Sequence, residues 1–147
     1  MIVFRNMDKL FSYKPGEFII IRDFNRHVMK NYDKFNSSIF RLETGQHSQV
    51  YHDYMADKQS ISRRFQGDQD WIRASIKNDY AYWPTEWIQS YKWEMRGKPQ
   101  MTAGARGTRD FLAQGDPVIL DKTSIAVFHG DPNPHYCKDE WVQKNWN

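Results

Sequence analysis

The chain has 147 residues, with 21 Lys and Arg against 18 Asp and Glu, and aromatic side chains make up 16% of it, 6 of them Trp. That length suits one domain with its own core over residues 1–147 and leaves little room for two, and so slight a basic excess gives no electrostatic footprint for duplex nucleic acid. Cys137 is the single cysteine, which excludes an internal disulfide and a thiolate zinc site and fits a reducing compartment; no apolar run approaches the roughly 20 residues that cross a bilayer and no secretory leader opens the chain, so a cytoplasmic protein without a membrane span is expected.

"MIVF" opens the chain as an apolar, partly β-branched strand, and Asn6 is a plausible cap for a helix over "MDKLF". Lys14-Pro15-Gly16 is a turn signal. The uninterrupted run Phe18-Ile19-Ile20-Ile21 in "EFIIIRDF" then predicts a strand covered on both faces. "NSSIFRL", 36–42, is a further strand, and "SQVYHDYMAD", 48–57, a helix with Val50, Tyr51, Tyr54 and Met55 on one side. In "RRFQGDQDWIRASI", 63–76, Asp68 predicts a helix N-cap, with Asp70 in the first turn where the helix dipole favours a carboxylate and with Trp71, Ile72 and Ile76 as the buried stripe.

Pro84 breaks the aromatic stretch "DYAYWPTEWIQSYKWEM" into a loop and a short strand at Trp87–Trp93, its tryptophans serving as packing. Residues 97–116 hold Gly97, Gly104, Gly107 and Gly115 with Arg106 and Arg109, which predicts a mobile loop. "GARGTRD" lacks the Gly-Lys-Ser/Thr ending of a phosphate loop. "SIAVFHG", 124–130, is the last strand, followed by a Pro-rich turn and a short helix from about Asp139. No internal repeat is present. Strands alternating with helices give an α/β layer architecture, in which ligands bind beyond the carboxyl ends of strands, where His129 and Gly130 fall.

Three phrases stand in order: Asn36-Ser37-Ser38 opening a strand, Gly67-Asp68-Gln69-Asp70 opening a helix, and Phe128-His129-Gly130-Asp131-Pro132-Asn133-Pro134-His135 after the last strand. Together, with "WPTEWIQSYK" between the second and third, they resemble the C-terminal half of nucleotide-sugar glycosyltransferases of the GT-A fold, the family 8 type and short phage-encoded glycosyltransferase-like proteins. The resemblance runs over most of the chain. It implies a partial GT-A, Rossmann-like sheet with flanking helices, whose N-terminal nucleotide-binding half and Asp-x-Asp motif would lie upstream of Met1.

The resemblance also implies roles. His129 would ligate a divalent cation, and an imidazole in a mixed site suits Mn²⁺ better than Mg²⁺. Asp68 and Gln69 would face the acceptor and the reacting sugar, the carboxylate orienting hydroxyls and the amide lying near developing oxocarbenium charge; Asp70 would share that role or cap the helix. Asn36, with Ser37 beside it, would hold the transferred sugar, and Gly67 and Gly130 would let the backbone approach the ligand. Where the family pattern has a phosphate-binding Lys this chain has Asn133, so Lys92, Arg106 or Lys138 would meet the phosphates.

The expected activity is thus transfer of a sugar from a nucleotide-sugar donor to a saccharide or other hydroxyl acceptor, with an upstream nucleotide-binding half or a second copy of the chain as partner. The alternative is a non-catalytic saccharide-binding or interaction module derived from such an enzyme. A single-strand nucleic-acid binder is the weakest reading, because no basic cluster accompanies the tryptophans.

Overall fold

The computed structural model describes residues 1–77, 79–96, 99–103, 109–113, 117–129 and 132–146. In chain order the elements are β1 (Ile2–Val3), α1 (Asp8–Ser12), β2 (Ile19–Arg22), β3 (Phe35–Arg41), α2 (Gln49–Ala56), α3 (Lys58–Arg64), α4 (Asp68–Ile76), β4 (Ala81–Tyr82), β5 (Ile88–Ser90), β6 (Pro99–Ala103), β7 (Arg109–Ala113), β8 (Ile125–Val127) and α5 (Glu140–Asn145), with single 3₁₀ turns at Phe24–His27, Thr85–Trp87 and Pro134–Tyr136. The protein is a mixed α/β chain with two small mixed sheets and flanking helices. It divides into two compact units, one of residues 1–9, 24–32 and 84–147, the other of residues 10–23 and 33–83.

In the first unit β8 is the middle strand, antiparallel to β1 and parallel to β5. Its three residues Ile125, Ala126 and Val127 are all buried, as a strand flanked on both sides requires. The core beside it gathers Ile2, Tyr91, Met95, Cys137 and Val142, with Phe4, Phe128 and Trp141 against them. Arg5 fastens the approach to β8 by donating to the carbonyls of Asp121 and Thr123 at 2.8 and 3.0 Å.

The expected strand at Trp87–Trp93 is shorter than the spacing suggested. It stops at Ser90, and Tyr91–Met95 form one wide π turn instead. Ser90 explains the change: its Oγ accepts the Trp93 N–H at 3.1 Å while its own N–H donates to Glu94 Oε2 at 2.7 Å, a reciprocal capping arrangement that starts a turn and ends a strand. Within the stretch expected to be a mobile loop, 97–116, β6 and β7 pair antiparallel from Pro99↔Ala113 to Ala103↔Arg109. Gly97, Gly104, Arg106, Gly107 and Gly115 lie outside the described residues.

In the second unit β2 is central, antiparallel to β3 and parallel to β4. Phe18, Ile19, Ile20 and Ile21 are all buried, and at ~1.5–3 kcal/mol for each large side chain taken out of water this run is the main source of the unit's cohesion. Phe35, Ile76 and the partly buried Ile72 close the same core, so α4 presents the stripe its sequence predicts. Trp83 is buried too, its indole N–H donating to the Leu10 carbonyl at 3.1 Å. The helix expected over 48–57 forms as α2 but buries none of its residues.

Arg41, the last residue of β3, donates to the carbonyls of Leu10, Phe11, Tyr13 and Lys14 at 3.0, 2.7, 2.6 and 2.7 Å. It satisfies the end of α1 and the turn that follows, where Lys14 and Gly16 take left-handed φ of 44° and 84°. Arg41→Met leaves several half-buried carbonyls without donors and is expected to cost about 2–3 kcal/mol. Arg41→Lys recovers less than half, because an ammonium cannot fork to four acceptors. Urea denaturation of the two variants measures both effects.

The Tyr91 ring stacks on Phe128 with centroids 4.4 Å apart, and its hydroxyl donates to Asp139 Oδ2 at 2.6 Å while accepting from Arg96 Nη1 at 3.0 Å. Burial first, and then the hydrogen bond to Asp139, raise this phenol above its ordinary pKa of 10. A folded-state pKa above the unfolded value means the stabilisation is complete below about pH 10 and is lost as the pH climbs through the folded value. The denaturation midpoint is therefore expected to fall above about pH 10, and Tyr91→Phe to flatten part of that fall.

Candidate functional site

The strand-opening phrase and the helix-opening phrase meet within the second unit. Phe35, wholly buried, pins the start of β3, and Asn36 sits opposite Ile21 just past an irregularity in the β2–β3 register. The Asn36 side-chain oxygen accepts the Ser38 N–H at 2.9 Å and also the Ser38 hydroxyl, a short turn of the kind Asn makes with the residue two on. This local turn leaves Ser37 to face the helix. Its hydroxyl donates to Asp68 Oδ2 at 2.8 Å and its N–H to Gln69 Oε1 at 3.3 Å, across separations of 31 and 32 residues.

Gln69 is held at its other end too. Its Nε2 donates to Asp23 Oδ2 at 2.9 Å, and Asp23 is only 4% exposed at the end of β2, its own N–H donating to the Lys34 carbonyl at 2.8 Å. An uncharged amide thus bridges a buried carboxylate and a strand N–H. Asp68 is exposed and has a second carboxylate oxygen with no partner among the described residues.

The expectation that Asp68 is the N-cap is corrected. Gly67 holds that position, with an extended φ of −171° that any residue can adopt, and Asp68 is the first helical residue. The Ser37 hydroxyl captures its carboxylate instead, while the charge still favours the helix start. An added Cβ at Gly67 meets no protein atom within 4 Å, so the fold does not demand glycine there. Asp70 does not join the cluster: it lies 3.7 Å from Arg73 one turn on, on a separate cleft shared with Arg64, Lys77 and Asp33.

His129 belongs to the first unit, two residues past β8. Its Nε2 lies 2.6 Å from Ser90 Oγ, its ring stacks on Phe24 at 5.1 Å with planes 9° apart, and the Trp93 ring meets it edge-on at 4.5 Å. Through Ser90 the network continues to Glu94, whose Oε1 accepts from Arg26 and lies 2.8 Å from His27 Nε2. Lys92 places its ammonium 5.9 Å from the Trp93 ring centroid. Gly130 lies outside the described residues.

A cation at His129 would need further ligands, and among the described residues no group of three or more His, Cys, Asp or Glu side chains converges to supply them. His129 Nε2 is engaged by Ser90 at 2.6 Å.

Asp23, Ser90, Glu94, Arg26 and His27 were not singled out from the sequence. Two signals were present: a carboxylate two places past the apolar run Phe18–Ile21, and Ser and Glu four apart in "SYKWE", the capping spacing stretched by one residue in the wide turn. No family model matches the chain, and no curated protein or solved structure matches it. No helix among the described residues is long and apolar enough to cross a membrane.

Gln69→Ala removes two hydrogen bonds and is expected to cost about 1–2 kcal/mol, whereas Gln69→Glu sets a second carboxylate against buried Asp23 and is expected to cost about 3–5 kcal/mol. Equal losses in urea denaturation would show that the amide hydrogen of Gln69 is not what Asp23 requires at that position.

Proposed function

We propose that the chain is a glycosyltransferase-like protein whose Asn36, Ser37, Asp68 and Gln69 cluster meets the sugar of a nucleotide-sugar donor. One observation carries the reading: the Ser37 bonds to Asp68 and Gln69 join the two motif phrases that the resemblance assigns to a single sugar site. Asp68, exposed and with one oxygen unclaimed, accepts hydrogen bonds from hydroxyls. Gln69 is a positioning residue, since its two-ended attachment fixes the helix start against β3. In the reaction the bond from the anomeric carbon to the diphosphate oxygen breaks, with the electron pair leaving on the diphosphate. The acceptor oxygen bonds to that carbon, and its proton is taken up by the departing diphosphate.

The second reading, a saccharide-binding module without turnover, draws on the same attachment: an amide tied at both ends acts as a brace. Calorimetry of the full chain with UDP-, GDP- and ADP-sugars, with and without Mn²⁺, separates the two. Transfer predicts heat with at least one donor, weakened more than tenfold by Asp68→Asn, which keeps the exposed side chain's shape and removes its charge. No heat with any donor removes the transfer reading.

A further inference from the structure

A cavity of about 710 Å³ in the second unit adjoins Asp68 and Gly67, and its lining differs in kind from the polar cluster on the other side of Asp68. One wall is α2, whose Tyr51 is 62% and Tyr54 36% exposed. Opposite stand Phe65 and Trp71, with ring centroids 5.5 Å apart, the indole N–H being taken by the Val50 carbonyl at 3.1 Å. Aromatic walls of this size are large unless something covers them.

The rim is polar and nearly uncharged. Asp68 is its one carboxylate, and no Lys or Arg lines the cavity among the described residues. The Ser48 and Ser62 hydroxyls and the Gln66 amide make no hydrogen bond to described residues, although all three line the space. His47, at a left-handed φ of 56°, lines it too; its side chain is 9% exposed and its Nε2 has no hydrogen-bond partner, the Asp79 carboxylate standing 3.8 Å away. Aromatic faces, scattered neutral donors and acceptors, and a lone carboxylate match a ligand with apolar C–H faces and many hydroxyls. They disfavour an anion, which Asp68 repels without a cation to offset it.

We propose that this cavity binds an uncharged oligosaccharide, with pyranose faces against Tyr51 and Tyr54 and a hydroxyl donating to the second oxygen of Asp68. Its identification as the acceptor subsite rests on the transfer reading above; the binding itself does not. The neighbouring cleft sets Arg64, Arg73 and Lys77 beside the carboxylates of Asp33 and Asp70, so it offers no unopposed positive surface to an acidic glycan.

The test is saturation-transfer NMR and Trp fluorescence of the full chain with maltotriose, cellotriose and chitotriose as neutral probes and trigalacturonate as the acidic one, no donor being present. At least one neutral probe is expected to bind, at least tenfold more tightly than trigalacturonate, and Tyr51→Ala with Tyr54→Ala to weaken it about tenfold or more. Thermal unfolding of these variants should match the parent, since Tyr51 is exposed. No binding of any neutral probe, equal binding of trigalacturonate, or unchanged binding by the double variant each overturns the proposal. Neutral binding with no heat from any nucleotide sugar upholds the cavity and removes the transfer reading; donor heat without trisaccharide binding does the reverse.

Discussion

A carboxylate withdrawn from water has to be met by donors, and at Asp23 that requirement reaches across the second unit. The residue stands two places past the buried isoleucines of β2, after Arg22, so the strand that supplies most of the apolar burial also leads a carboxyl group into the interior. Gln69, from 46 residues further on, answers it with an amide hydrogen. The same side chain then has an oxygen left, and the Ser37 N–H takes it. One uncharged group thereby sets the first turn of α4 against the beginning of β3, and Asp68 inherits its place from that fixed turn.

The first unit resolves a similar problem by other means. Its middle strand, β8, also runs into a polar residue, His129, which is enclosed by the faces and edges of Phe24 and Trp93 and met by Ser90. Ser90 ends β5, the strand parallel to β8, so the pairing of those strands carries hydroxyl and imidazole to the same level. The wide turn after Ser90 brings Glu94 back over the Ser90 N–H and holds Arg26 and His27. In both units a buried apolar run in the central strand is followed two residues on by a polar side chain whose partners come from elsewhere in sequence.

Apolar runs were the most legible part of the fold. Phe18–Ile21 and Ile125–Val127 read as strands because short unbroken apolar runs rich in Ile and Val, bounded by turn signals, favour that structure, and the stripe of α4 followed from its spacing. What the sequence did not disclose depended on partners. The capture of Asp68 by Ser37, in place of a helix cap, is a competition between two kinds of donor, a distant hydroxyl and the helix's own N–H groups, that local propensity cannot decide. The π turn at Tyr91–Met95 depends on Ser90 and Glu94 bonding to backbone, and the pairing of β6 with β7 is a contact that a count of glycines does not disclose. Of the candidate site, Asn36, Ser37, Asp68 and Gln69 come together as the motifs implied, Asp70 turns to Arg73, and Asp23, which anchors them, was hidden inside an apolar reading.

Helix α2 contributes no fully buried side chain, and what seats it is chiefly the partly buried Val50 and the indole bond to that residue's carbonyl. Displacing it from its seat costs on the order of 1–3 kcal/mol, far below the cost of parting β2 from its neighbours. The Tyr51 and Tyr54 wall of the cavity is therefore tied to the unit by far less burial than the sheet beside it, whose closed core carries no part of that helix except Val50.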